Sequence, residues 1–284
     1  MIPTAYILRW REFAPWGLED QVEQDLVLSR VLIELFSDPL LGRELAFRGG
    51  TALHKLYVHP PARYSEDIDL VRTNVGPIGG VIHAIRNKLD SWLGEPATKR
   101  NQGRFTLVYH FMAETTATRM KVKIEINTRE HNALFQLCHK KLNIDNDWFS
   151  GKADITTYSL EELMGTKFRA FYQRKKARDL FDLFWVLENF HDLKINQVLE
   201  SFHHYLQQQN LKISKAEFEK NLYEKLQDKI FIGDLSPLLN VDTFRHKLDL
   251  VRASAEVYDA LIQKLPGASW KRQEQLLDVL KAKA

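Results

Sequence analysis

The chain has little of what stabilises a protein from outside its core. It carries one cysteine, Cys138, in 284 residues, which excludes an internal disulfide and a zinc site built on several thiolates. No apolar stretch approaches the roughly 18 uninterrupted residues that a membrane helix requires. The segment from Met1 to Trp10 lacks a basic n-region and a long apolar run, and charge arrives at once with Arg9, Arg11 and Glu12. The expectation is a soluble, cytoplasmic protein without a signal peptide and without a membrane partner. A dominant charge is also missing: 40 Lys and Arg against 37 Asp and Glu leave +3. A polyanion would therefore have to meet a local cluster of cations and not a global field. His54, His59, His83, His110 and the pair His203-His204 show no metal-ligand spacing and read as structural or exposed. The six tryptophans are scattered and read as packing residues.

What is present is an ordinary globular composition, 44% hydrophobic, with clear periodicities. Val22, Leu26, Val31, Leu32 and Leu35 recur at helical spacing from Gln21 to Phe36, and Ser37-Asp38-Pro39 forms a stop. Leu45 to Arg48 reads as a short strand, Thr51 to Tyr57 as a short helix before Pro60-Pro61, and Ile68 to Arg72 as a second strand. His83 to Leu93 is helical, whereas Phe105 to Phe111 and Lys121 to Asn127 alternate with the two-residue period of half-buried strands. Beyond Asp154 strand signals mostly vanish. Ser159-Leu160-Glu161-Glu162 is a capping-box pattern that starts a helix toward Tyr172. Leu180 to Phe190 is the next helical stretch, and further amphipathic helices follow, interrupted near Gly233 to Pro237 and at Pro266-Gly267. The fold class expected is α+β, an N-terminal domain with a small mixed sheet over 1–150 followed by a helical domain over 151–284.

Three segments carry chemistry. In Phe47-Arg48-Gly49-Gly50-Thr51-Ala52-Leu53 a strand runs through paired glycines into a helix start. Gly49 and Gly50 let backbone amides approach a phosphate, the helix N-terminus adds N–H groups and dipole, and Thr51 adds a hydroxyl. In Ser65-Glu66-Asp67-Ile68-Asp69-Leu70 the two-residue spacing puts Asp67 and Asp69 on one strand face while Ile68 and Leu70 point into the core. Two hard oxygen ligands with room for water and phosphate describe a Mg²⁺ or Mn²⁺ site. In Lys121 to Asn127, Val122, Ile124 and Ile126 alternate with Lys123, Glu125 and Asn127. That turns Glu125 away from the packed side, where it completes the acidic metal cluster or acts as general base. A basic segment follows, with Lys167, Arg169, Arg174, Lys175, Lys176 and Arg178 within twelve residues. On a continuous helix Lys167, Arg174 and Arg178 share one face, a row suited to a triphosphate or an RNA backbone.

Strand, Gly-Gly-Thr turn, Asp-x-Asp strand and later acidic strand match, in order and chemistry, the pattern of DNA-polymerase-β-like nucleotidyltransferases. Within that superfamily, Phe47 to Leu53 followed by Arg63-Tyr64-Ser65-Glu66-Asp67-Ile68-Asp69-Leu70 resembles the AbiEii/AbiGii toxin family, which includes the MenT-like toxins of type IV toxin–antitoxin and abortive-infection systems. The resemblance covers roughly Trp16 to Phe190 and fades in the C-terminal third. Two departures stand out: fifteen residues, Ala52 to Glu66, separate Thr51 from Asp67, and Thr51 stands where many members have serine. Lys167, Arg174, Arg178, Asp179 and Asp182 resemble the family's downstream motif, which implies active-site roles for Lys167 and Asp179.

The resemblance implies a nucleotidyltransferase with an NTP on Gly49-Gly50-Thr51 and Lys167, a divalent ion on Asp67 and Asp69, and the helical domain completing the cleft. It implies a tRNA 3′ end as acceptor, growth arrest as consequence and a cognate antitoxin as partner. A protein hydroxyl is the alternative acceptor, and a catalytically silent RNA- or partner-binding module of the same fold is the alternative function. A metal-dependent glycosyltransferase also uses Asp-x-Asp, but the Gly-Gly-Thr turn argues against it.

Overall fold

A seven-stranded mixed sheet organises the first part of the chain, in the order β3-β4-β5-β2-β1-β7-β6. The computed structural model describes residues 2–233, 238–239 and 249–281, and the chain divides into two compact units, Met1–Ser159 and Leu160–Ala284. The sheet belongs to the first. Its strands are β1 (Leu45–Arg48), β2 (Asp67–Arg72), β3 (Ala97–Asn101), β4 (Arg104–Met112), β5 (Arg119–Asn127), β6 (Cys138–Asn146) and β7 (Phe149–Thr157). β2 runs parallel to β5 and β1 parallel to β7, while the other pairs are antiparallel.

Four of these strands, β1, β2, β4 and β5, stand where the sequence predicts strands. β3, β6 and β7 do not, and the sheet is wider than the small one expected. β3 is exposed at every position and holds its conformation only through pairing with β4, so no burial pattern marks it. β6 and β7 form a hairpin that buries only Ile144, Asn146 and Ile155–Thr157, which leaves a polar sequence with no apolar stripe to read. β7 runs through residue 150 to Thr157.

Helix α2 (Glu19–Phe36) buries every apolar position that its periodicity selects, Val22, Leu26, Val31, Leu32 and Leu35. It also buries Gln24 and Asp25, which are satisfied internally. Asp25 accepts from Trp10 Nε1 at 2.8 Å, Trp16 Nε1 at 3.3 Å and Lys55 Nζ at 2.5 Å. Gln24 accepts from the Tyr64 hydroxyl and donates to the Lys121 carbonyl. This network ties α2, α4 (Gly49–Leu56), the Tyr64 segment and β5 together. Two further tryptophans, Trp92 and Trp148, pack edge to face with each other and against Arg30, at 3.9 and 4.7 Å from its guanidinium. Four of the six tryptophans are thus packing residues with a polar partner or a cation.

The second unit is built of helices: α6 (Leu160–Gln173), α7 (Ala177–Asn189), α8 (Ile195–Gln207), α9 (Lys215–Leu226), α10 (Lys229–Gly233), α11 (Leu250–Ala260) and α12 (Gln273–Lys281). Its core centres on stacked rings, Phe168 lying 4.6 Å from Phe202 and 4.5 Å from Phe218. Gly165 lets α6 approach α8, since a Cβ there would meet Ser201 at 2.5 Å. The expected break near Gly233 to Pro237 lies, past Gly233, outside the described residues. The one at Pro266-Gly267 falls between the short 3-10 turn Ile262–Lys264 and α12.

Candidate active site

Sheet register assembles the acidic pair. Asp67 and Asp69 alternate with buried Ile68 and Leu70 along β2, so both carboxylates lie on the face opposite the core. Asp69 stands directly opposite Arg48 on β1 and Glu125 on β5, and Asp67 opposite Lys123. Directly opposed residues share a face, so Arg48, Asp69 and Glu125 form one row and Asp67 and Lys123 the next. Lys123 Nζ lies 3.2 Å from Glu125 and 3.9 Å from Asp67, and Arg104 reaches Glu125 at 3.4 Å. Arg48 donates to Glu130 at 2.6 Å. Burial works against its charge, but Glu130, Tyr158 and Asp69 outweigh that and hold the guanidinium protonated.

The glycine turn is fitted to Asp69. Gly49 has φ +84°, in the left-handed region, and a Cβ there would lie 2.4 Å from Asp69 Oδ2. Only glycine lets β1 turn into α4 against that carboxylate. At Gly50 a Cβ would lie 2.4 Å from Nη2 of Arg63, which is 2% exposed. Thr51 is buried, and its hydroxyl donates to the Asp67 carbonyl at 2.5 Å and bonds Ser65 Oγ at 2.8 Å. In this arrangement the hydroxyl braces the turn onto the start of the acidic strand, while the amides at the start of α4 are what it offers a phosphate. Gly49→Ala is expected to cost about 1–2 kcal/mol through its positive φ and to displace the Asp69 carboxylate. A far larger loss of activity than of melting temperature would show this, and an active Gly49→Ala would sink it.

In the helical unit, the basic segment does not form one continuous face. α6 ends at Gln173 and α7 begins at Ala177, so Arg174, Lys175 and Lys176 occupy the break, where cations suit the C-terminal end of α6. Lys225 Nζ occupies the same end, donating to the Phe171 and Tyr172 carbonyls. Lys167 is 7% exposed, and its Nζ lies 3.1 Å from Asp179 and 2.9 Å from Asp182, both fully buried. Arg174 grips Asp179 with Nε at 2.5 Å and Nη2 at 2.8 Å. Lys167, Arg174, Asp179 and Asp182 are thus drawn into one ionic cluster. Arg178 is half-exposed outside that cluster.

Burial alone would raise the Asp179 carboxyl, but Lys167 and Arg174 outweigh it and hold it below the ordinary carboxylate range. A carboxyl with a folded value under its unfolded one stabilises the fold above the unfolded value and stops doing so as pH falls through the folded one. Stability of the helical unit is therefore expected to be insensitive to Asp179 above about pH 5 and to decline below about pH 4. Urea melts of wild type and Asp179→Asn across that range check it. If the difference between the two proteins is the same at pH 3 and pH 7, the linkage is wrong.

The donor set of Asp67 and Asp69 fits Mg²⁺ or Mn²⁺, since such ions bind through one or two carboxylates and take their remaining oxygens from water and phosphate. The ammonium of Lys123 beside Asp67 and Glu125 shows that the face attracts a cation. Among the described residues no group of three His, Cys, Asp or Glu side chains is arranged to hold a metal. Glu125 neighbours Asp69 but is engaged by Lys123 and Arg104. The structure thus brings together Gly49, Gly50, Thr51, Asp67, Asp69 and Glu125 in the first unit, and Lys167, Arg174 and Asp179 in the second. Arg48, Arg63 and Lys123 also line the first group. Alternation along β5 signalled Lys123, two residues from Glu125; Arg63 stands in the segment that carries the family resemblance, but nothing in the sequence signalled its burial.

The family described as nucleotidyl transferase AbiEii toxin, type IV TA system, matches residues 30–250. None of the curated proteins matches the chain. Among solved structures, JHP933 from Helicobacter pylori is similar with a TM-score of 0.56 at 16% identity, over 94% of this chain and 98% of that one. MenT4, a nucleotidyltransferase toxin from Mycobacterium tuberculosis H37Rv, is similar with a TM-score of 0.56 at 14% identity, over 99% of each chain. At these identities the structural likeness speaks for the fold.

Proposed function

The chain belongs to the AbiEii family of nucleotidyltransferase toxins of type IV toxin–antitoxin systems, and on that basis we propose that it transfers a nucleotide from an NTP to an RNA hydroxyl in a reaction dependent on Mg²⁺ or Mn²⁺. The family implies an NTP substrate and an antitoxin partner, and among the described residues no helix is long and apolar enough to cross a membrane. The observation that carries the reading is the fit between Gly49 and Asp69, which places a helix N-terminus against an acidic pair.

Asp67 and Asp69 hold the ion, which when bound supplies charge neutralisation to the triphosphate. The amides at the start of α4 seat phosphate oxygens, with Gly49 and Gly50 permitting close approach and Thr51 keeping the turn on β2. The acceptor hydroxyl attacks the α-phosphorus in line, and its proton passes to Glu125, the carboxylate opposite Asp69. The bond to the β-phosphate breaks and pyrophosphate leaves. Lys167 and Asp179, for which the resemblance implies roles in activity, lie in the second unit, where Asp179 and Asp182 fix the Lys167 ammonium and Arg174 grips Asp179. The acceptor that the resemblance implies is a tRNA 3′ end.

Incubation of the protein with total tRNA, Mg²⁺ and each α-labelled NTP in turn tests this, with a lysate added in a parallel series. Label entering RNA with wild type and not with an Asp67 variant supports it and identifies the base. Label entering only protein would replace the acceptor, and no label anywhere would leave a binding module of this fold.

A further inference from the structure

We infer that the open face of β3, β4 and β5 is the surface along which the acceptor's RNA backbone lies. The inference rests on the nucleotidyltransferase reading and names residues outside the basic segment of α6 and α7. That segment is a poor track: Lys167 is buried in ion pairs, Arg174 grips Asp179, and Lys175 lies 3.0 Å from Asp228.

The sheet has a second set of cations. On β5, Val122, Ile124 and Ile126 are fully buried, so Arg119, Lys121, Lys123 and Glu125 project from the opposite face. Three consecutive outward positions are therefore cationic, spaced ~6.6–6.8 Å apart along the strand. The ladder begins beside the acidic pair, because Lys123 is in register with Asp67, and it leads away from it. Cross-strand partners extend it: His110 stands opposite Lys121, and Lys99 stands opposite Thr106, which is itself opposite Glu125. Arg104 lies on the same face. Arg119, Lys121, His110, Lys99 and Arg104 are all exposed.

Charge complementarity selects the occupant. Glu125 offsets Lys123 and Arg104, but among the described residues neither Arg119, Lys121 nor Lys99 has a carboxylate partner. Cations placed on alternate residues of an extended strand are regularly spaced and fixed in direction, as a repeating phosphate backbone requires. The net charge of +3 gives no general reason for such a concentration on one face.

The test uses the full chain and a 5′-fluorescein single-stranded RNA with a free 3′-hydroxyl. Its affinity is measured across a salt series for wild type, Arg119→Ser/Lys121→Ser and the control Lys141→Ser/Lys152→Ser on the β6–β7 hairpin. The first double variant is expected to lose about tenfold or more in affinity. Its slope of log affinity against log salt should fall by about 0.7 for each phosphate that is no longer neutralised. The control is expected to match wild type. In the transfer reaction, KM for RNA should rise while KM for NTP stays constant. Unchanged affinity and slope in Arg119→Ser/Lys121→Ser, with wild type active on RNA, would overturn the track while leaving the nucleotidyltransferase reading intact. Loss of antitoxin binding with RNA binding unchanged would likewise overturn it and assign the face to protein. If wild type transfers nothing but still binds RNA through this face, the track stands and the activity falls.

Discussion

Asp67→Asn is expected to reduce nucleotidyl transfer by about two to four orders of magnitude while leaving the protein folded. Several kcal/mol of charge stabilisation are at stake when a carboxylate that holds a catalytic divalent ion is neutralised, and each ~1.4 kcal/mol is tenfold in rate. The fold has little stake in that charge. The Asp67 side chain is 35% exposed, its ion pair is a 3.9 Å approach of Lys123, and such pairs contribute about 0–1 kcal/mol. The brace from Thr51 ends on the Asp67 backbone carbonyl, which the substitution leaves in place, and Ile68 and Leu70 anchor the strand. Melting curves that superpose within about a kcal/mol, with transfer lost at every Mg²⁺ concentration, are the expected pair of results. Asp69→Asn should behave alike in rate. Activity of Asp67→Asn within tenfold of wild type would remove the acidic pair from the chemistry.

Lys167→Ala is expected to be the most destabilising substitution of a candidate site residue, by about 3–5 kcal/mol, because it breaks a buried ionic cluster from its centre. Asp179 would keep Arg174, but Asp182, fully buried, would lose the ammonium now 2.9 Å away. Taking an ammonium away from a buried carboxylate is costly, and so is the gap left by a long side chain that is 7% exposed. Lys167→Ala/Asp182→Asn should recover part of the loss, since the second change removes a buried charge that the ammonium no longer offsets. A urea titration of the three proteins measures both quantities. If Lys167→Ala melts like wild type, the ammonium is not what holds α6 to α7. Transfer by the folded fraction of the double variant then separates any catalytic duty of Lys167 from its structural one, which a single variant cannot do.

Elements whose side chains alternate between core and solvent were legible in the chain alone. Val22 to Leu35 specified α2, and Ile68-Leu70 and Val122-Ile124-Ile126 specified β2 and β5 together with the direction in which Asp67, Asp69 and Glu125 point. Periodicity carries that information, because burial on one face is a local property of the chain. The Gly-Gly-Thr turn and Asp-x-Asp pair were legible too, since both lie within short segments of backbone.

Whatever depended on distant partners was settled by the folded arrangement. β3, β6 and β7 are strands because neighbours pair with them, not because their own residues demand burial. Thr51 is a brace, its hydroxyl meeting a carbonyl sixteen residues away. Register sets Glu125 opposite Asp69 and Lys123 opposite Asp67, which no strand specifies alone. Lys167 reads as a cation in a basic run, yet it is buried between two acids, whereas Arg119, Lys121 and Lys123, unremarkable in a chain of balanced charge, line one open face. Charge composition counts groups, but their chemistry depends on burial and on the nearest opposite charge, and only the folded chain sets both.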